Sequence, residues 1–329
     1  MYFLSLDNNL NFSSGGESKP LVSDKDLDVV NYIQTKTNTF IFSSKKDSKN
    51  NVVKCYYQVF DKTTNSGKGD ITLIGDISYK NSFAAQVSMS FILSPDSTKV
   101  VADLAPPRLN TDSTRREIIV FDNEMKVLWK KNISFPYLKN KSYYIRDVIV
   151  DNNGNAFMLY IEHLTEEGAG KEEIHNYKIM AFGNNGKTVT DKVIYNGKES
   201  LDKVKMMFLA NGNISCSGIL ADHILIQYTG MYNILIDPAT IDVLKFSFMK
   251  WDVNVMKAYE SKSCDASIQK EIDKGRTIAI SDCYLSDPVK TADGGLYITC
   301  EEMNDKTSSY NNPISSTGKS ESTSYYLAM

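Results

Sequence analysis

The residues best placed to meet a ligand are Asp103, Arg108, Arg146, Glu162, His163, Trp251 and Glu302. Glu162 and Glu302 each lie eight residues past a turn glycine, Gly154 and Gly294, and Asp103 and Asp222 stand near the equivalent place. Carboxylates paired at one rim can hold a cation or a sugar, and two of them can cleave a glycosidic bond. Charges that only solvate strand ends give the same pattern. His163 and His175 share one polar stretch and can approach each other, with Glu162 or Glu172 completing a metal set. Solvated imidazoles are the plainer reading for these two and for His223. Asp151-Asn-Asn-Gly-Asn155 offers oxygens at alternate positions, as calcium loops do, but lacks their sixth-place glycine and distal glutamate. A type I′ turn accounts for it, and equally for Gly183-Asn-Asn-Gly186. No metal or other cofactor is expected. No nucleophile elbow, P-loop or dinucleotide fingerprint occurs.

These side chains need a scaffold, and the composition says which kind. The chain has 329 residues, 42% of them hydrophobic, which is ample for a packed core. A formal charge of -3 argues against a nucleic-acid groove. No apolar run is long enough for a membrane-spanning helix, and the first residues lack the basic and apolar regions of a signal peptide. Tyrosine, at 19 residues, joins Phe, Val, Ile and Thr in favouring strand. The five cysteines form no C-x-x-C pair and read mostly as buried thiols, with Cys264 and Cys283 as the one pair worth testing for a bridge.

The clearest unit runs from Arg146 to Ile194. Four short apolar or alternating runs are separated by a turn at Asp151–Gly154, a polar loop, and a turn at Gly183–Gly186. This is a four-stranded antiparallel unit, a to d. Copies of it are expected at 24–80, 85–135, 143–196, 203–250 and 283–329, with a partial unit at 1–13 and an insertion at 250–283 that can hold a short helix near 258–274. The turn residues Asp96, Asn152 and Asn211 are 56 and 59 residues apart, and Asp293 follows after 82, with the surplus in the insertion.

A four-stranded repeat of this size points to an all-β fold, a β-propeller with about five blades visible. A tandem of β-sandwiches needs more strands per unit, and a parallel β-helix has shorter repeats. Both ends fall inside a blade, on c-type strands. Two readings compete: the N-terminal strands complete the last blade and close a five-bladed ring, or the chain is an internal piece of a longer propeller and the ring gapes, with the terminal strands on separate edges; the second is the expectation. The long b–c and d–a connections (43–52, 103–116, 163–174, 303–322, 78–86, 131–144 and 250–283) all leave one face of the disc. That face is the natural binding surface.

The turn Ser94-Pro-Asp96 after an apolar strand is similar to turns common in propeller blades. Tyr284-Leu-Ser-Asp-Pro-Val-Lys-Thr-Ala-Asp-Gly-Gly-Leu-Tyr-Ile-Thr-Cys-Glu-Glu302, followed by Thr323-Ser-Tyr-Tyr326, resembles a stretch in uncharacterised exported bacterial propeller-like proteins. Leu285-Ser286 stands where that stretch carries Leu-Arg. The resemblance implies a periplasmic or extracellular location and no particular activity. Trp251-Asp252 is not a WD-repeat signature, since it follows a d strand. The functional expectation is a non-catalytic binding or scaffold module for a protein or glycan on the long-loop face. The alternative is a glycan-active hydrolase with carboxylates at the channel mouth.

Overall fold

The computed structural model describes residues 2–6, 12–17, 27–64, 66–79, 87–106, 113–165, 173–197, 199–222, 227–252, 254, 269–270, 272–274, 283–291, 295–304 and 323–327. At 2–6, 12–17, 173, 222, 227, 283, 301–304 and 323–327 the description is of the backbone. Strands β1 (Tyr2–Leu6) and β2 (Phe12–Glu17) form a hairpin of their own. Four antiparallel meanders follow. The first is β3 (Asp28–Gln34), β4 (Thr39–Asp47), β5 (Val52–Asp61) and β6 (Ser66–Ser78). The second is β7 (Ser88–Leu93), β8 (Lys99–Ala105), β9 (Thr114–Asp122) and β10 (Val127–Phe135). The third is β11 (Lys141–Val150), β12 (Ala156–Thr165), β13 (Glu173–Gly183) and β14 (Thr188–Tyr195). The fourth is β15 (Ser200–Phe208), β16 (Ile214–Asp222), β17 (Gln227–Asp237) and β18 (Asp242–Lys250).

The last unit is broken into shorter pieces: β19 (Cys283–Leu285), β20 (Val289–Lys290), β21 (Leu296–Tyr297), β22 (Cys300–Asn304) and β23 (Thr323–Leu327). β19, β22 and β23 form one sheet, and β20 pairs with β21 at the tip of the same hairpin. The register slips between the two pairings, where Ser286 N–H donates to the Thr299 carbonyl and Thr299 N–H to Ser286 Oγ. Among the described residues, β1 pairs only with β2, and no ladder joins it to β23. Residues 269–270 and 272–273 are helical, inside the stretch expected to hold a short helix.

The sheets are propeller blades, and their burial says why. First strands of successive blades touch: β3 meets β7, β7 meets β11, and β11 meets β15. These are the inner strands around the axis. Second strands are covered on both faces by neighbouring blades, so Val100–Ala105 and Ala156–Ile161 are buried without alternation. An unbroken apolar run is what a strand packed on two faces requires. Outer strands meet water, and β18 is exposed along almost its whole length.

The apolar cores lie between blades rather than within them. Phe42 stacks on Phe91 at 3.8 Å between the first and second blades. Trp129, Phe135, Tyr143, Met158 and Tyr160 fill the second seam. Phe157 meets Phe208 edge-on at 5.6 Å in the third. Tyr228, Trp251, Leu285 and Cys300 belong to the fourth.

Two sequence expectations change. The connections expected at 43–52 and 131–144 are mostly strand: β4 and β5 are joined by 48–51, and β10 and β11 by 136–140. Hairpin pairing continues past the apolar core because each polar residue there still satisfies its backbone groups. The turn at Asp151–Gly154 is not type I′, which needs two central residues with positive φ. Only Gly154 is left-handed there, at φ +85°, while Asn185 and Gly186 do form such a pair. Cys55 and Cys216 are free and buried, Cys300 is disulfide-bonded, and the bridge expected between Cys264 and Cys283 falls on side chains outside the described residues.

Candidate functional site

Side chains alternate across a strand, so Asp103 on β8 and Arg116 on β9 both face the third blade, beside Val101 and Ile118. Arg116 Nη1 donates to Asp103 Oδ2 at 3.2 Å, and the side chains are only 16% and 8% exposed. Burial pushes the Asp103 carboxyl up, against the pull of the Arg116 charge. Asp103 Oδ1 and Arg116 Nε remain without hydrogen bonds. The pair fixes one guanidinium in the seam.

That guanidinium borders a cavity of about 200 Å³ between the second and third blades. Ser113, Thr114, Arg115, Tyr143, Tyr144 and Arg146 border it as well, but by strand alternation it is Thr114 and Tyr143 that share the face of Arg116, while the Tyr144 ring lies beside His163 on the opposite face. Arg146 occupies a bulge in β11, where the register with β12 shifts between Ile145 and Asp147. Its nearest described acid is Asp202, at 3.9 Å. On the other side of the second blade, Arg115 and Arg116 also border a cavity of about 280 Å³, together with Asp76, Glu117 and Asn132. Arg115 alternates with Arg116 and points toward the first blade, and Arg146 reaches toward Asp202 on β15, so of these three arginines Arg116 presents its guanidinium to this cleft.

The structure brings Asp103, Arg146 and Glu162 to this neighbourhood, but not as a carboxylate pair at a channel mouth. Glu162 lies opposite Tyr143 on β11 and is bound by Lys141 Nζ at 2.5 Å and Asn176 Nδ2 at 3.1 Å. Burial works against its ionisation, but the Lys141 and Asn176 bonds and the Lys141 and Lys178 charges outweigh it, and its pKa is lowered. His163 faces the other side of the sheet from Glu162, so the two cannot share a metal. His163 and His175 are cross-strand partners with stacked rings, 4.6 Å between centroids. Among the described residues no group of three possible ligands gathers around a metal position. Asp151 is spent on its own turn, accepting from the Asn153 and Asn155 N–H groups and from Asn155 Nδ2.

Trp251 is a correction. It is 5% exposed, and its Nε1 donates to the Tyr228 carbonyl at 2.7 Å, so it is core. Glu302 lies on β22 opposite Cys283 and Tyr325, with its side chain outside the described residues. Arg108 and Glu172 lie outside them entirely.

No protein-family model matches the chain, and no curated protein does. Among solved structures it is similar to the endo-arabinase of Bacteroides thetaiotaomicron VPI-5482. That match has 11% identity and a TM-score of 0.35, and it covers 92% of this chain and 94% of that one. A mannose phosphorylase from Leishmania mexicana is 10% identical with a TM-score of 0.32, over 85% and 82% of the two chains. The β-propeller domain of the Trilobed protease from Pyrococcus furiosus is 10% identical with a TM-score of 0.27, over 89% and 99%. Scores this low carry no argument about the site, which rests on its own side chains.

A second group of charges escaped the sequence reading. Each a–b turn opens at a residue whose N–H bonds across the turn: Thr35, Ser94, Asp151, Leu209 and Thr291. Four residues earlier, on or beside the inner strands, stand Asn31, Ser90, Asp147, Lys205 and Asp287. Asp147 Oδ2 accepts the Met206 N–H of the next blade at 2.6 Å, and Oδ1 accepts the Val148 N–H at 2.9 Å. Burial raises its pKa to about 6, with the nearby Asp287 charge adding to this and Lys205 and the two N–H groups opposing it. Lys205 Nζ bonds Asp287 at 2.7 Å. Alignment on the turns would have found this ring, but its five positions hold four residue types.

Proposed function

We propose that the chain is a non-catalytic binding module, and that its ligand enters the cleft between the second and third blades. The carrying observation is that cleft: a guanidinium anchored by a buried carboxylate beside Thr114 and the Tyr143 ring. Fixed donors beside aromatic walls suit recognition, while acid–base hydrolysis needs free carboxylates. Asp103 and Glu162 are each held in an ion pair. The test is binding of a glycan panel by the full chain and by Thr114→Trp, whose ring would fill the cavity. Loss of the wild-type ligand in the variant supports the cleft, and equal binding removes it.

One observation favours the second reading, a glycan-active enzyme. Asn31 Oδ1 accepts the Tyr32 N–H just as Asp147 accepts that of Val148, at the equivalent place in the first blade. A neutral amide therefore serves the same local role, and a carboxyl with a raised pKa beside Asp287 is more than that backbone needs. Under this reading Asp147 and Asp287, not Asp103 and Glu302, are the acids. Reducing-end release from glycans, lost in Asp147→Asn and Asp287→Asn, is its test. No release from a broad panel by the wild type removes it.

We also read residues 1–329 as one propeller domain of an exported protein. The bonded Cys300 suits an oxidising compartment. Among the described residues no helix is long and apolar enough to cross a membrane. Fractionation of cells making the full reading frame checks the location.

A further inference from the structure

The second and third seams are built on the same ladder positions but are filled differently. In the second seam Val101, Val120 and Trp129 are direct neighbours across β8, β9 and β10, and all three face the third blade. The Trp129 ring lies against Gly186 of that blade, and its Nε1 donates to the Gly154 carbonyl at 2.8 Å. In the third seam, counted from the turns, Phe157, Ala181 and Thr190 hold those positions. Phe157 and Ala181 face the fourth blade, and alternation turns Thr190 the same way. Phe157 is larger than Val101, but its ring packs on Phe208 at 5.6 Å. An alanine stands for a valine and a threonine for an indole, so the third blade leaves the outer part of this seam open.

A cavity of about 400 Å³ lies there, on the face of the short turns, with Pro238, Ala239 and Ile241 of the fourth blade as its far wall. That volume falls in the range usual for small-molecule sites, roughly 300–1,000 Å³. The turns agree with the gap. Gly154 and Gly212 hold the same place in successive a–b turns, at φ +85° and +84°. Leu128 and Val120 cover Gly154, whereas Gly212 has open space around it. The rim is polar. Asp151 borders it, but its carboxylate is taken by the Asn153 and Asn155 N–H groups and by Asn155 Nδ2. That leaves Asn155 Oδ1, which flanks Gly183 together with the Thr188 hydroxyl: a Cβ on Gly183 would fall 3.8 Å from the first and 2.8 Å from the second. Beyond Thr190, Lys192 and Asp242 neutralise each other across the seam at 2.9 Å. We propose that this cavity is a second binding site, on the face opposite the long loops, and that it takes a planar aromatic ring with an N–H donor, of the indole class. Phe157, Ala181, Pro238 and Ile241 receive the ring as the second seam receives Trp129, and Asn155 Oδ1 and the Thr188 hydroxyl accept from its N–H. A free heteroaromatic compound and a tryptophan side chain of a peptide share this chemistry. The site depends on neither reading of the function given above.

The test is calorimetric titration of the full chain with indole, 1-methylindole, N-acetyl-tryptophanamide and N-acetyl-leucinamide. N-acetyl-tryptophanamide should bind about tenfold more tightly than the leucine compound. The methylated ring, which has no N–H, should bind about fivefold more weakly than indole. Thr190→Trp sets the indole of the second seam into the third, and should abolish binding with Tm unchanged or raised. Thr188→Val, at the exposed rim, should weaken indole about fivefold with unchanged Tm, and it serves where Thr190→Trp does not fold. Tighter binding of the amide assigns the ring to a peptide side chain, and tighter binding of free indole to a small heteroaromatic compound; either supports the site. Equal binding of the leucine compound overturns the aromatic class, and equal binding of 1-methylindole overturns the donor. Indole binding indifferent to both variants overturns the site and leaves the cleft of the second seam untouched. No saturable binding of either indole compound overturns the proposal as a whole.

Discussion

At the scale of single residues, Asp147 is the group whose chemistry is most exposed to experiment. It is half-buried, yet both of its carboxyl oxygens face backbone N–H groups. Its folded pKa of about 6 lies above the ordinary 3.8, so the folded chain holds the proton more tightly than the unfolded chain does. Its contribution to stability is therefore present below about pH 3.8 and is lost as pH rises through about 6. Asp147→Asn keeps an acceptor, as Asn31 does in the first blade, and cannot ionise. The variant should be more stable than the parent at pH 8 by on the order of 1–2 kcal/mol, less than the whole shift implies because the residue keeps some solvent. The advantage should vanish near pH 4. Melting temperatures at both pH values decide it, and an unchanged difference between them would mean that the carboxyl does not titrate as described. Glu162 has the opposite sign. Its pKa is lowered, so its contribution is present above the ordinary value of 4.5 and fades as pH falls through the folded one.

At the scale of elements, turns and seams explain both what the sequence disclosed and what it hid. Ser94-Pro-Asp96, Asn211-Gly212 and Asn185-Gly186 are turn chemistry that needs no tertiary context, so the repeat was legible from them. The second strands were legible because packing on two faces demands unbroken apolar runs. The end of β4 was not, since Ser43 to Asp47 carry no apolar signal, although they pair with β5, Asp47 meets Lys54 and Lys46 lies over the Tyr79 ring. The cleft was half legible: Asp103 was named, whereas Arg116 and Tyr143 drew no notice because arginine and tyrosine in a strand look like ordinary surface. Trp251 misled for a related reason, since an indole after a d strand gives no hint that its N–H meets a carbonyl of its own blade.

One turn also bears on stability between blades. Gly186 has φ +74°, and a Cβ there would fall 2.8 Å from the Trp129 ring of the preceding blade. Gly212 has φ +84° with open space around it. Gly212→Ala should cost only the left-handed backbone term of about 1–2 kcal/mol. Gly186→Ala must also displace an indole whose Nε1 donates to the Gly154 carbonyl at 2.8 Å, and should cost clearly more. Chemical denaturation of both variants tests this. Equal losses would mean that the indole yields without penalty.

At the scale of the whole molecule, every apolar cluster named above is shared between blades that follow one another in the chain. No blade owns a core, so none can be stable alone, and each is completed by the next to appear. The consequence concerns timing during synthesis. A nascent chain that has released residues only through 136 presents Ile118, Val120, Trp129 and Phe135 to water, because their partners Tyr143, Met158 and Tyr160 have not been made. Release through 196 covers that face and uncovers Phe157 and Ile179, which wait in turn for Phe208 and Ile234. The ribosome thus hands over a structure that always trails one sticky sheet behind its growing end. Stalled chains ending at 136, 196 and 252 should gain protease resistance one blade at a time, each blade protected only once its successor has emerged. Protection of all blades at once, seen only in the complete chain, would show instead that the disc forms in a single late step.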